Sequence, residues 1–116
     1  MVKSVEIKYT ETFDNIANSL ISYLASYIDE YDALLKVESI IEAFEKRVAI
    51  DPLSCPVSHP LLELGVTSFR EYNYNGFRLL YRVFENENEI TIQGDAILSH
   101  RQDIQQALIE YCLIYR

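Results

Sequence analysis

Two arginines four residues apart, Arg78 and Arg82, stand in the run FRLLYRVF over residues 77–84. On a strand, positions i and i+4 share a face, so the two guanidiniums point the same way. Such a pair can hold phosphates or carboxylates through two-pronged hydrogen bonds. It can equally close on acids of its own chain, with Glu71 or the acids of the N-terminal half as partners. The residues alone leave both readings open.

A second group, His100, Arg101 and Asp103, falls where a strand pattern gives way to a helical one. One chemistry for it is catalytic. His100 would act as general base toward a ribose hydroxyl while Arg101 stabilises a phosphorane. The other is structural. Asp103 would favour the positive end of a helix and pair with Arg101, fixing the junction. A general base needs a partner of complementary role and none is evident here, so the structural reading carries more weight. Tyr72 and Tyr74 lie near a turn and are suited to stack on a base or pack on a partner helix. His59 lies among Pro52, Pro56 and Pro60 and reads as a solvated loop residue. Cys55 and Cys112 read as reduced thiols. No cysteine–histidine spacing suits a metal, and neither a metal nor a cofactor is expected.

These groups need elements to position them. Residues 2–9, VKSVEIKY, alternate and predict a strand with Val5, Ile7 and Tyr9 on one side. From Phe13 the period changes to that of a helix, with Ile16, Ala17, Leu20, Leu24, Tyr27 and Ile28 following, and Thr10 or Thr12 as cap. The run Asp29-Glu30-Tyr31-Asp32 interrupts it. A second helix follows with Leu34, Val37, Ile41, Phe44 and Val48 on one stripe, and Asp51-Pro52 ends it. A join this short predicts an antiparallel helix hairpin. Residues 51–65 form a loop with a short helical turn near Leu61–Leu64. Strands are predicted over 66–72, 77–84 and 89–98, with Asn73–Gly76 and Glu85–Asn88 as turns and Gly94 as a bulge or kink. Ser99 and Gln102 fit a capping box for a last helix with Ile104, Leu108, Tyr111, Cys112 and Tyr115 on its stripe. The expected architecture is α+β: an N-terminal strand, the helix hairpin packed on an antiparallel sheet meander, and a C-terminal helix. Ile7, Leu20, Leu24, Ile41, Phe44, Leu79, Tyr81, Ile92 and Leu108 are the expected core.

The 116 residues, 49% hydrophobic and 24% charged, fit one globular domain over 1–116. The N-terminus lacks the basic-then-apolar order of a signal peptide, and no apolar run approaches the ~18 residues of a membrane span. The expected location is the cytoplasm. Ten basic residues against 18 acidic ones give a net charge of −8, which opposes non-specific binding to a phosphate backbone. The charge is uneven: residues 9–45 hold eight acids and one base, Lys36, whereas residues 66–84 hold Arg70, Arg78 and Arg82 against one acid, Glu71.

The order of elements, the arginine-bearing strand, and the ending Ile97-Leu98-Ser99-His100-Arg101-Gln102-Asp103 together resemble the RelE/ParE superfamily of toxins from type II toxin–antitoxin systems. The Pro52…Leu64-Gly65 loop and Arg70 after it sit where that family has them. The His-Arg-x-Asp ending resembles the ParE-like and plasmid-stabilisation branch. The acidic balance departs from the family, whose toxins are usually basic. The basic, tyrosine-rich tail of the RelE ribonucleases is missing too, Arg116 beside Tyr115 excepted.

The resemblance implies a growth-inhibiting toxin that binds a target enzyme, with gyrase the precedent, and is neutralised by a cognate antitoxin. Arg70, Arg78, Arg82, Arg101 and Tyr72 would be its binding residues. The alternative is a ribosome-dependent endoribonuclease acting on mRNA, with His100, Arg82 and Arg101 as catalytic candidates beside Arg70 and Arg78. A fold relative without toxicity is the third reading. The oligomeric state is open, a homodimer among the options, and no membrane is expected as partner.

Overall fold

A computed structural model describes residues 3–99 of the chain. The order of elements is β1 (Ser4–Tyr9), α1 (Glu11–Ala25), α2 (Glu30–Ile50), α3 (His59–Leu62), β2 (Arg70–Tyr74), β3 (Phe77–Glu85) and β4 (Glu89–Ser99). The four strands make one sheet in the order β1-β4-β3-β2. β2, β3 and β4 form the expected antiparallel meander, and β1 joins β4 in parallel at the far edge. A parallel neighbour requires a crossover, and the two long helices lie within it. The C-terminal helix expected after Ser99, with Leu108, lies outside the described residues, as do His100, Arg101, Asp103 and Cys112.

Local chemistry sets the boundaries. The Thr10 hydroxyl accepts from the Phe13 amide at 3.0 Å and starts α1. The Asp29 carboxylate accepts from the Tyr31 amide at 3.0 Å and starts α2. The acidic run is therefore the first turn of the second helix, where carboxylates meet the positive helix end, and α1 stops at Ala25, before Tyr27 and Ile28. β2 and β3 meet through Asn75-Gly76, both at positive φ (54° and 85°). That is the two-residue hairpin turn such a pair favours. It lets β2 run on to Tyr74, two residues beyond the expected end at 72. β2 also begins later than expected, at Arg70, after a single bridge between Val57 and Arg70.

The core lies between the helix hairpin and one sheet face. Phe13, Ile16 and Leu20 of α1 and Val37, Phe44 and Val48 of α2 are buried against it with Leu79, Tyr81 and Ile92. Phe44 meets Tyr81 edge-on at 5.1 Å between ring centroids and Tyr72 at 5.9 Å. Ile7, Leu24 and Ile41 are only partly buried. The α2 stripe keeps Val37, Phe44 and Val48 of the expected one but takes Ala33 and Ile40 in place of Leu34 and Ile41: Leu34 is exposed and Ile41 is partly buried. Both stripes keep helical spacing.

The other sheet face is also closed in its middle, where Leu80, Ala96 and Leu98 are fully buried. Among the described residues, no helix is long and apolar enough to cross a membrane.

Candidate functional site

Arg78 and Arg82 alternate with Leu79 and Tyr81 along β3, so they stand on the sheet face away from the hairpin. The expected shared face is present. Each arginine there already holds a carboxylate. Arg82 closes a two-pronged pair on Asp95 of β4, with Nε to Oδ2 at 2.9 Å and Nη2 to Oδ1 at 3.0 Å. The same Oδ1 accepts from the Gln93 amide at 2.9 Å. Arg78 faces Glu71 of β2 at 3.8 Å, and Glu71 also accepts a hydrogen bond from the Ser58 hydroxyl at 2.9 Å. Ser58, Glu71 and Asp95 are all buried. The pairing of Arg78 with Glu71 was one of the two sequence alternatives. Asp95 was not foreseen as a partner.

Asp95 owes its position to a register slip. Leu80 pairs with Ala96 and Tyr81 with Gly94, so Asp95 is the extra residue between them. The bulge lies one residue beyond Gly94, where the sequence predicted it. It turns Asp95 toward Arg82. Phe69 and Phe84 hold the guanidinium from the sides, with ring centroids 5.0 and 5.5 Å from its central carbon.

Arg70 is held differently. Its Nη1 donates to the main-chain oxygens of Cys55 at 2.5 Å and Leu53 at 3.3 Å. These are dipoles and leave its charge uncancelled. Arg70 and Arg82 line one cavity of about 340 Å³, which Thr67, Ser68 and Glu85 also border. The structure thus brings Arg70 and Arg82 together and places Arg78 with Glu71 and Ser58.

Tyr72 is buried against Phe44 and stacks on Tyr74 at 6.0 Å. Burial raises its pKa above the ordinary tyrosine value. Tyr72 offers a partner little surface, whereas Tyr74 is exposed. His59 opens α3 rather than lying in a loop, and its ring is exposed beside Glu63. Cys55 is buried and free. Among the described residues, no group of three or more His, Cys, Asp and Glu side chains is placed to hold a metal. The catalytic candidates His100 and Arg101 lie outside the described residues.

No protein-family model matches the chain, and no curated protein matches it. Among solved structures, a chain of the "Chromosomal ParDE TA system from P. aeruginosa" is similar, with a TM-score of 0.62. The match covers 82% of this chain and 95% of that one at 18% identity. The two share an α+β fold in which a strand, two helices and a sheet follow in order.

Proposed function

We propose that this chain is the toxin of a bacterial type II toxin–antitoxin module. It stops growth by binding a cellular target enzyme, with gyrase the family precedent, and a cognate antitoxin neutralises it in the cytoplasm. The shared fold with a ParDE chain supports the module. The reading of binding rather than chemistry is supported by one observation: Arg78 and Arg82, two of the arginines that a ribonuclease would turn to phosphate, each face a buried carboxylate. A ribonuclease needs cations free to meet the charge that develops on a phosphorane. Arg70 keeps its charge and borders an open cavity, so it is the described residue best suited to take a carboxylate from a partner.

The test is controlled expression of the chain alone and with the small protein encoded by the adjacent reading frame. The module predicts growth arrest by the first and recovery with the second, together with a purified complex of the two. Growth that is unaffected by the chain alone would favour the fold relative without toxicity.

A further inference from the structure

We propose that the free edge of β1 is an interface for a second copy of this chain, in which two β1 strands pair antiparallel about a twofold axis at Ile7. The two sheets then become one. β1 is the end strand of its sheet, and among the described residues no strand pairs with its outer side. The Ser4 amide donates to the Asn88 carbonyl at 3.3 Å, and the Thr10 amide to the Gly94 carbonyl at 3.1 Å. Even-numbered residues therefore direct their main-chain groups to β4. Alternation along the strand turns the amides and carbonyls of Val5, Ile7 and Tyr9 outward. Such a row is a template for another strand.

Hydrogen bonding and charge together choose the partner and the register. In a symmetric antiparallel pair, outward-pointing residues must face outward-pointing ones, so the axis passes through Glu6, Ile7 or Lys8 if most of β1 is to pair. An axis at Glu6 sets that carboxylate against its own copy, and an axis at Lys8 does the same with the ammonium. An axis at Ile7 sets Glu6 opposite Lys8 twice and Val5 opposite Tyr9 twice. Each facing pair among Val5, Ile7 and Tyr9 then exchanges two hydrogen bonds. Glu6 and Lys8 are exposed and already attract each other along the strand at 3.1 Å. The Tyr9 ring packs on Phe13 of α1, so Glu6 and Lys8 project from the opposite sheet face. Opposite charges and aromatic–β-branched pairs across strands are stabilising, and like charges directly opposite are not. The β1 edge is thus complementary to itself, and the contact closes at two copies. The inference stands on β1 and does not depend on the toxin reading.

The test is sedimentation velocity of the full chain over a concentration series at low salt, with folding checked by circular dichroism. The parent should pass from monomer to dimer as concentration rises. Glu6→Lys leaves two lysines on the edge and Lys8→Glu two glutamates, so each variant alone should associate at least about tenfold more weakly. An equimolar mixture of the two should associate again, because lysines then face glutamates. The double exchange, Glu6→Lys with Lys8→Glu, should restore the parent's dimer. Should a variant fail to fold, hydrogen exchange in the parent decides: the Val5, Ile7 and Tyr9 amides should gain protection as concentration rises. A parent that stays monomeric, leaving the edge to a strand of another protein, would overturn the proposal. So would a dimer that survives both single reversals, a mixture that associates no better than its components, or amide protection that ignores concentration.

Discussion

Arg82 and Asp95 are joined by two hydrogen bonds across β3 and β4, at the point where the register of the two strands slips. The Asp95 side chain is 1% exposed and that of Arg82 32%. The acid thus depends on the arginine more than the reverse, because a buried carboxylate without its cation is strongly disfavoured. Arg82→Ala should lower unfolding free energy by about 3 kcal/mol. Arg82→Lys, which cannot make the two-pronged contact, should recover only part. Urea unfolding of the two variants checks both expectations. A loss below about 0.5 kcal/mol for Arg82→Ala would show that the pair does not hold the bulge. Reversing Arg78 and Arg82 together would set new carboxylates against Glu71 and Asp95, so that double variant tests folding before it tests binding.

Gly94 packs under the Tyr9 ring. A Cβ added at Gly94 would stand 2.6 Å from Tyr9 Cδ1 and 3.6 Å from Phe13 Cδ2. Gly94→Ala should therefore cost about 1–3 kcal/mol, the range for overpacking a filled core. Tyr9→Ala should relieve part of that cost, so the two changes together should be less harmful than their sum. Thermal unfolding of the three variants measures the coupling.

The Tyr9 hydroxyl donates to Glu45 at 2.6 Å and ties β1 to α2. Burial and then the Glu45 carboxylate raise the Tyr9 pKa well above its ordinary value near 10. Burial raises Tyr81 likewise. Above pH 10 the unfolded chain loses these phenolic protons while the folded chain keeps them. Stability should be insensitive to these groups below pH 10 and fall as pH rises beyond it. Tyr9→Phe should make that alkaline decline shallower. Denaturant midpoints measured from pH 8 upward check the slope.

The Asn75-Gly76 turn places Gly76 at φ 85°. A side chain there meets no neighbour, so Gly76→Ala isolates the backbone cost of about 1–2 kcal/mol. Chemical denaturation should show that loss with an unchanged m-value.

Local patterns revealed most of this architecture and long-range choices did not. A threonine cap at 10 or 12, the hairpin turn glycine and the alternation of β3 follow from spacing and turn chemistry alone, and the structure selects Thr10. The parallel pairing of β1 with β4 follows from chain topology, which no local period encodes. The α2 stripe was ambiguous because apolar residues occur at 33 and 34 and again at 40 and 41, and only the opposing sheet decides between them. Asp95 carried a signal: an acid in an apolar strand, next to a glycine that marks a bulge, on the strand paired with Arg82. The packing of Phe69, from the segment before β2, over its arginine partner is a contact that no local pattern encodes.

Binding of a target enzyme, without a proton-transfer step of the chain's own, is the central claim. Removing a general base typically lowers a rate on the order of 10²–10⁴-fold, whereas one position of a binding surface rarely dominates affinity. The direct measurement is DNA supercoiling by purified gyrase in the presence of the parent protein and of folded His100→Ala, with mRNA cleavage on ribosomes assayed in parallel. The account predicts inhibition of supercoiling by the parent, inhibition largely kept by His100→Ala, and intact mRNA with both. Unimpaired supercoiling, together with mRNA cleavage that His100→Ala abolishes, would contradict it and establish the ribonuclease.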